Sequence, residues 1–206
     1  FFESLTAQNP ELNNIKGERP AIWLYIHGPS HQKAIKASRE GDILLTQAEK
    51  FATADALVAG TFENYPVTQL SNAWEAKIYP DHGWGGKHGD ITDAYFQSKY
   101  EFAKAEAEKI VDKSLNNLVA EIKTNKSKGK PIVVFNSLNW KRSDPVAINV
   151  TFAQTKVFQF EITDEKGVKT EFQLSDIQYN KDNSIKSATI NFLAENVPSI
   201  GYKTYY

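Results

Sequence analysis

The sequence predicts an α+β chain: an N-terminal three-helix antiparallel bundle followed by an antiparallel β-sandwich-like domain. Two observations predict it. Up to about residue 126 the apolar residues recur at three- and four-residue spacing, and beyond residue 131 they alternate. Between the two lies N-K-S-K-G-K-P (125–131), a polar stretch ending in glycine, lysine and proline. The expected organisation is an extended or linker segment over 1–20, a bundle over 21–126 and a β domain over 131–206. A length of 206 residues suits one large domain or two small ones.

The first helix is expected over S-H-Q-K-A-I-K-A-S-R-E-G-D-I-L-L-T-Q-A-E-K-F-A-T-A-D-A-L-V-A-G (30–60). Ser30 can accept from an orphan backbone N–H as N-cap, and Gly60 supplies the stop. Its apolar stripe runs Ile35, Ser38, Asp42, Leu45, Ala48, Ala52, with Asp42 as a misfit on the edge. The second helix begins at Pro66, whose missing N–H would be unpaired there anyway, and ends before Pro80. Val67, Leu70, Trp74 and Ile78 share one of its faces. Thr92 is the expected N-cap of the third helix, which runs from Asp93 with a seam of Phe96, Tyr100, Ala103, Ala107, Ile110 or Val111, Leu118 and Ile122. Three such amphipathic helices bury their stripes only against one another.

In the second half P-I-V-V-F-N-S-L (131–138) is a near-continuous apolar strand. A-I-N-V-T-F (147–152) puts Ile148, Val150 and Phe152 on one side. V-F-Q-F-E-I-T (157–163) does the same with Phe158, Phe160 and Ile162. D-E-K-G, N-K-D-N-S and V-P-S-I-G are turn clusters between such runs.

Composition removes several function classes. Apolar residues at 41% and charged residues at 24% are ordinary for a globular protein. A net charge of −1, from 24 basic and 25 acidic side chains, gives no footprint for nucleic acid and no basic face for an anionic membrane. No apolar run approaches the roughly 18 residues that span a bilayer. There is no cysteine, so neither a disulfide framework nor a cysteine metal site can form. There is also no methionine, so the chain reads as a piece of a larger protein.

The chemistry-bearing stretch is Y-P-D-H-G-W-G-G-K-H-G-D-I-T-D (79–93), between the second and third helices. Gly83, Gly85, Gly86 and Gly89 permit positive φ and close approach of a ligand. It is not a phosphate loop, because no Ser or Thr follows Lys87 and the preceding element is a helix. His82 and His88 have the side chain most used by metals, with carboxylates nearby, although H-x5-H alone is no zinc signature. Trp84 suits either stacking on a sugar face or plugging the loop. Asp81, Asp90 and Asp93 are individually uninformative, Asp93 suiting a helix N-terminus. His27 and His31, in L-Y-I-H-G-P-S-H, fit satisfied polar side chains in a turn. No complete catalytic constellation is present.

Three stretches resemble glycoside hydrolase family 38, the α-mannosidases. G-K-P-I-V-V-F-N-S-L-N-W-K-R resembles the family's V-F-N-P-L-x-W-x-R pattern through Phe135, Asn136, Leu138, Trp140 and Arg142, with Ser137 in place of Pro. V-P-S-I-G-Y-K-T-Y-Y resembles its P-x-x-G-Y-x-x-Y segment through Pro198, Gly201, Tyr202 and Tyr205. The first helix is similar to the family's first bundle helix at Lys36, Arg39, Leu44 or Leu45, Ala48 and Glu49.

The resemblance implies that the 79–93 loop reaches into a neighbouring α/β-barrel domain of the same parent chain. It maps the zinc ligand of the family's H-H-D motif onto His82, with His88 as the alternative. Asp81 then stands in for the sugar-binding carboxylate. The motif departs from the family's, since Asp81 precedes His82 and Gly83 follows it. The implied activity is zinc-dependent, retaining hydrolysis of mannose-containing glycans, with two carboxyl groups about 5–5.5 Å apart. Those groups and the other ligands belong to the barrel, so the resemblance implies no catalytic residue here and no activity of these residues alone. The rival readings are a non-catalytic carbohydrate-binding or scaffold module and a plain interaction module.

Overall fold

The computed structural model describes residues 2–8, 32–78, 89–152 and 156–206. Three long helices precede a set of antiparallel strands, the α+β arrangement that the change in periodicity predicts. The chain opens with α1 (Phe2–Ala7), a short helix where an extended linker was expected. Glu3 in its first turn suits the positive end of the helix dipole.

The bundle is formed by α2 (Gln32–Ala59), α3 (Val67–Lys77) and α4 (Gly89–Glu121). It runs up, down and up. Asp42 on α2 meets Lys77 at the far end of α3, whereas Glu40 meets Lys104 and Asp55 meets Asn117 in step along α4. The non-consecutive pair α2 and α4 is therefore parallel.

The buried stripe of α2 is Ala34, Ala37, Gly41, Leu45, Ala48, Ala52 and Ala56, turned by one residue from the expected one over its first half. Asp42 is the reason. A carboxylate in the seam would lose its water, so the helix rotates it outward, where it pairs with Lys77 at 2.9 Å. The small residues then let α4 come close. A Cβ on Gly41 would stand 3.6 Å from Lys77 Cδ and 4.0 Å from the Lys104 backbone nitrogen. Gly60 ends α2 at φ 73°, with Thr61 N–H donating to Ala56 O and Gly60 N–H to Leu57 O, which satisfies the last carbonyls.

On α3 the buried residues are Leu70, Ala73 and Ala76, while Val67 and Ile78 are exposed. The expected face of Val67, Leu70, Trp74 and Ile78 is thus only partly buried, because the alanines permit the closer contact. Trp74 sits at the edge and donates Nε1–H to Glu49 Oε1 at 2.8 Å. Pro66 precedes this helix as its N-cap and is not its first residue. Thr92 is not an N-cap either, since α4 starts at Gly89 with Asp90 in its first turn. Its seam is buried at Phe96, Tyr100, Ala103, Ala107, Ile110 and Val111 as the spacing predicts, while Leu118 and Ile122 are only partly buried.

The strands are β1 (Ile132–Asn136), β2 (Arg142–Thr151), β3 (Ile162–Thr163), β4 (Lys169–Thr170), β5 (Phe172–Tyr179), β6 (Ile185–Val197) and β7 (Gly201–Tyr205). All pairings are antiparallel: β1 with β7, β2–β6–β5 as a three-stranded sheet, and β3 with β4. Alternate residues of β1, β2 and β6 converge on one core that includes Ile132, Val150, Ile190, Phe192 and Tyr205. The expected strand over 157–163 is reduced to Ile162 and Thr163, and Phe158 is exposed. Alternation alone does not pair a backbone. Here Phe160 packs by its ring instead, with centroids 5.2 Å from Phe152 and 5.2 Å from Phe172.

A buried amide joins the two family-like motifs. Asn136 Nδ2 donates toward Trp140 O at 2.8 Å and Pro198 O at 3.0 Å, and its Oδ1 accepts from Leu138 N–H at 3.0 Å. Ile200 N–H completes the link to Leu138 O at 2.8 Å. Gly201 is confined by the same turn, since a Cβ there would meet Pro198 Cγ at 3.0 Å.

The halves touch directly. Lys50 Nζ donates to Ser137 O at 3.0 Å, Phe51 and Phe135 meet edge to face at 6.0 Å, and Asn125 N–H donates to Tyr206 Oη at 3.0 Å.

Candidate functional site

The loop singled out by its composition is held at both ends by the bundle. Its core, 79–88, lies outside the described residues, and with it Asp81, His82, Trp84 and His88. His27 and His31 lie outside them as well, so all four histidines do. What the structure places is the base on which the loop stands.

Lys77, the last residue of α3, is the centre of that base. Its side chain is only 11% exposed and pairs with Asp42 at 2.9 Å. Its Nζ also lies 5.3 Å from the centroid of the Tyr100 ring on α4, within range of a cation–π attraction. One lysine thus ties the end of α3 to both other helices, one residue before the loop departs through Ile78.

On the opposite side the loop returns into α4. Asp93, one turn in, is buried at 6% exposure, although its sequence context suggested only a helix N-terminal charge. Beneath it Ala34, Ala37, Phe96 and Tyr100 form a separate small core, with the Phe96 and Tyr100 rings stacked at 6.3 Å. Lys104 holds Glu40 at 2.7 Å, and that hydrogen bond keeps the Glu40 carboxyl below its ordinary range and the Lys104 amine above its own. Ile78, Ile91 and Tyr95 are exposed around the loop's two ends.

Lys77 was not among the expected site residues. The signal was Asp42, whose place on an apolar stripe asked for a cationic partner. Among the described residues no group of three or more His, Cys, Asp or Glu side chains comes together, so these residues hold no complete metal site. Nor is any described helix long and apolar enough to cross a membrane. Among the described residues the arrangement braces the two helix ends that flank the loop.

No protein-family profile and no curated protein matches the sequence. Solved structures do match the fold. A glycosyl hydrolase family 38 protein from Enterococcus faecalis aligns over 99% of this chain and 27% of its own, with 16% identity and a TM-score of 0.65. An α-mannosidase from Enterococcus faecalis V583 aligns over 85% of this chain and 23% of its own, with 15% identity and a TM-score of 0.53. The chain therefore spans about a quarter of the length of these structures. Its bundle and antiparallel sheets share the fold of a segment of glycosyl hydrolase family 38 proteins.

Proposed function

We propose that this chain is the middle helical bundle and the first part of the β region of a family 38 α-mannosidase. The observation that carries the reading is the alignment of 99% of the chain, bundle and sheets together, on a protein of that family. The V-F-N-S-L-N-W-K-R and P-S-I-G-Y-K-T-Y segments support it, because Asn136 binds one to the other.

In this reading the 79–88 loop, rooted by Lys77, enters the active site of a barrel domain elsewhere in the parent protein. His82 contributes one zinc ligand, Asp81 a carboxylate to the sugar, and Trp84 a stacking face. Zinc, when bound, polarises the sugar hydroxyls and favours an oxocarbenium-like state. In this reading the chain supplies one zinc ligand at most, the others belonging to the barrel domain. The nucleophile and the acid/base of a retaining hydrolysis lie outside it, and the 206 residues alone are inactive.

The test is hydrolysis of an aryl α-mannoside by the full-length protein, native against His82→Ala, with bound zinc counted in both. Loss of activity and zinc together supports the assignment. Unchanged zinc and activity moves the ligand away from His82, with His88→Ala next. An inactive native protein overturns the enzymatic reading.

A further inference from the structure

A cleft of about 450 Å³ lies along the seam between the bundle and the β region, apart from the loop-bearing end. Its inner wall is apolar and includes the edge-to-face pair Phe51 and Phe135. Its polar groups are Gln47 from α2, Asn136 at the end of β1 (already engaged by the turn carbonyls), Ser137 after it, and Arg142 and Asp144 from β2. Arg142 and Asp144 form an ion pair, and both side chains are nearly half exposed, at 45% and 44%. Each therefore keeps hydrogen-bonding capacity for a ligand: the guanidinium has further N–H donors, and the carboxylate has a second oxygen.

We propose that this seam cleft is a saccharide-binding site separate from the zinc loop. Clefts at domain seams, mostly apolar with a few convergent polar groups, are the usual form of a small-molecule site. The balance of groups selects the ligand class. A net cation or anion gains little from a rim whose two charges already neutralise each other. A neutral ring with vicinal hydroxyls offers a donor to Asp144 and an acceptor to Arg142, while its C–H face lies on Phe51 and Phe135. Lys50, bonded to Ser137 O at 3.0 Å, fixes the two walls in place before binding. At about 450 Å³ the cleft lies within the range of about 300–1,000 Å³ usual for small-molecule sites. The choice of a mannoside as probe rests on the proposed function; the cleft itself does not.

The test is hydrogen-exchange mass spectrometry of the full-length protein with a sulfur-linked α-mannobiose, which resists hydrolysis. Native protein, zinc-chelated protein and the Asp144→Ala and Gln47→Ala variants are compared. Protection is expected over 47–51 and 132–148, is expected to survive chelation, and should need about tenfold more ligand in Asp144→Ala. Gln47→Ala, at a helix surface position, gives the same direction without touching β2. Absence of protection in those segments at ~20 mM ligand overturns the cleft. If protection then appears only at the chelation-sensitive loop segment, the enzymatic reading stands without the cleft; if it appears nowhere, neither stands.

Discussion

In the bundle, α2 and α4 meet along Ala34, Ala37, Gly41, Ala48, Ala52, Ala103 and Ala107, many weak contacts spread over several turns. In the β region, one buried amide, Asn136, ties the β1 turn to the β6–β7 turn through directional bonds. The first arrangement tolerates the loss of any single contact but not an increase in volume. The second tolerates changes of volume poorly at Gly201 and loss of polarity at Asn136 hardly at all. Each half thus has its own weak point, and substitutions can probe them separately.

The largest expected effect is in the bundle. Leu45 is fully buried, and Leu45→Ala should cost about 3 kcal/mol by lost burial plus a cavity among residues already too small to fill it. Helical ellipticity in a urea titration checks this; a cost below about 1 kcal/mol would show that the seam closes up. Asn136→Ala should cost about 2 kcal/mol, because it leaves the Trp140 and Pro198 carbonyls and the Leu138 amide unpartnered. Its mark is faster amide exchange along β1 and β7 with the bundle amides unchanged. Equal acceleration in both halves would mean that the two regions unfold as one. Gly201→Ala follows at about 1–2 kcal/mol, since the new methyl group meets the Pro198 ring and both neighbours are confined. Gly60→Ala should cost about 1 kcal/mol through its positive φ alone, there being open space around it.

The smallest effect is one of pH. The Val168 and Lys166 amides bond to Asp164 and hold its carboxyl below the ordinary 3.8. The stability it contributes is present above that value and is lost as pH falls through the lower folded one. Exchange at the Lys166 and Val168 amides should therefore rise in acid, and Asp164→Asn should flatten that dependence. An unchanged acid profile in the variant would remove Asp164 as the cause.

How much of this was legible in the sequence follows the same division. The helices were, because periodicity over twenty or more residues averages out single misfits such as Asp42. The helix faces were read less well. Bulky Val67 and Ile78 were counted as core, whereas packing favours Ala73 and Ala76, which let backbones approach. The short strands near Phe158 and Phe160 were misjudged because alternation reports burial, not the presence of a pairing partner. Local pattern did not give the full roles of Asn136 and Lys77, since Asn136 also bonds Pro198, 62 positions on, and Lys77 pairs with Asp42, 35 positions back. The loop's composition stood out through its histidines and glycines, while the anchoring of its flank by Lys77 did not.

One consequence concerns the order in which the parts of the chain are made. Ile132 pairs with Tyr205 and Asn136 with Gly201, so within this chain β1 is completed only when β7, some sixty residues on, has been made. The bundle has all three helices available before β1 exists. The apolar I-V-V-F run must then wait through some sixty residues of synthesis, and α2 offers it a surface where Phe51 meets Phe135. At typical rates of about 5–20 residues per second that wait lasts seconds, long compared with helix formation. A bundle that folds first provides the surface on which the unfinished sheet is kept from pairing with a neighbour's.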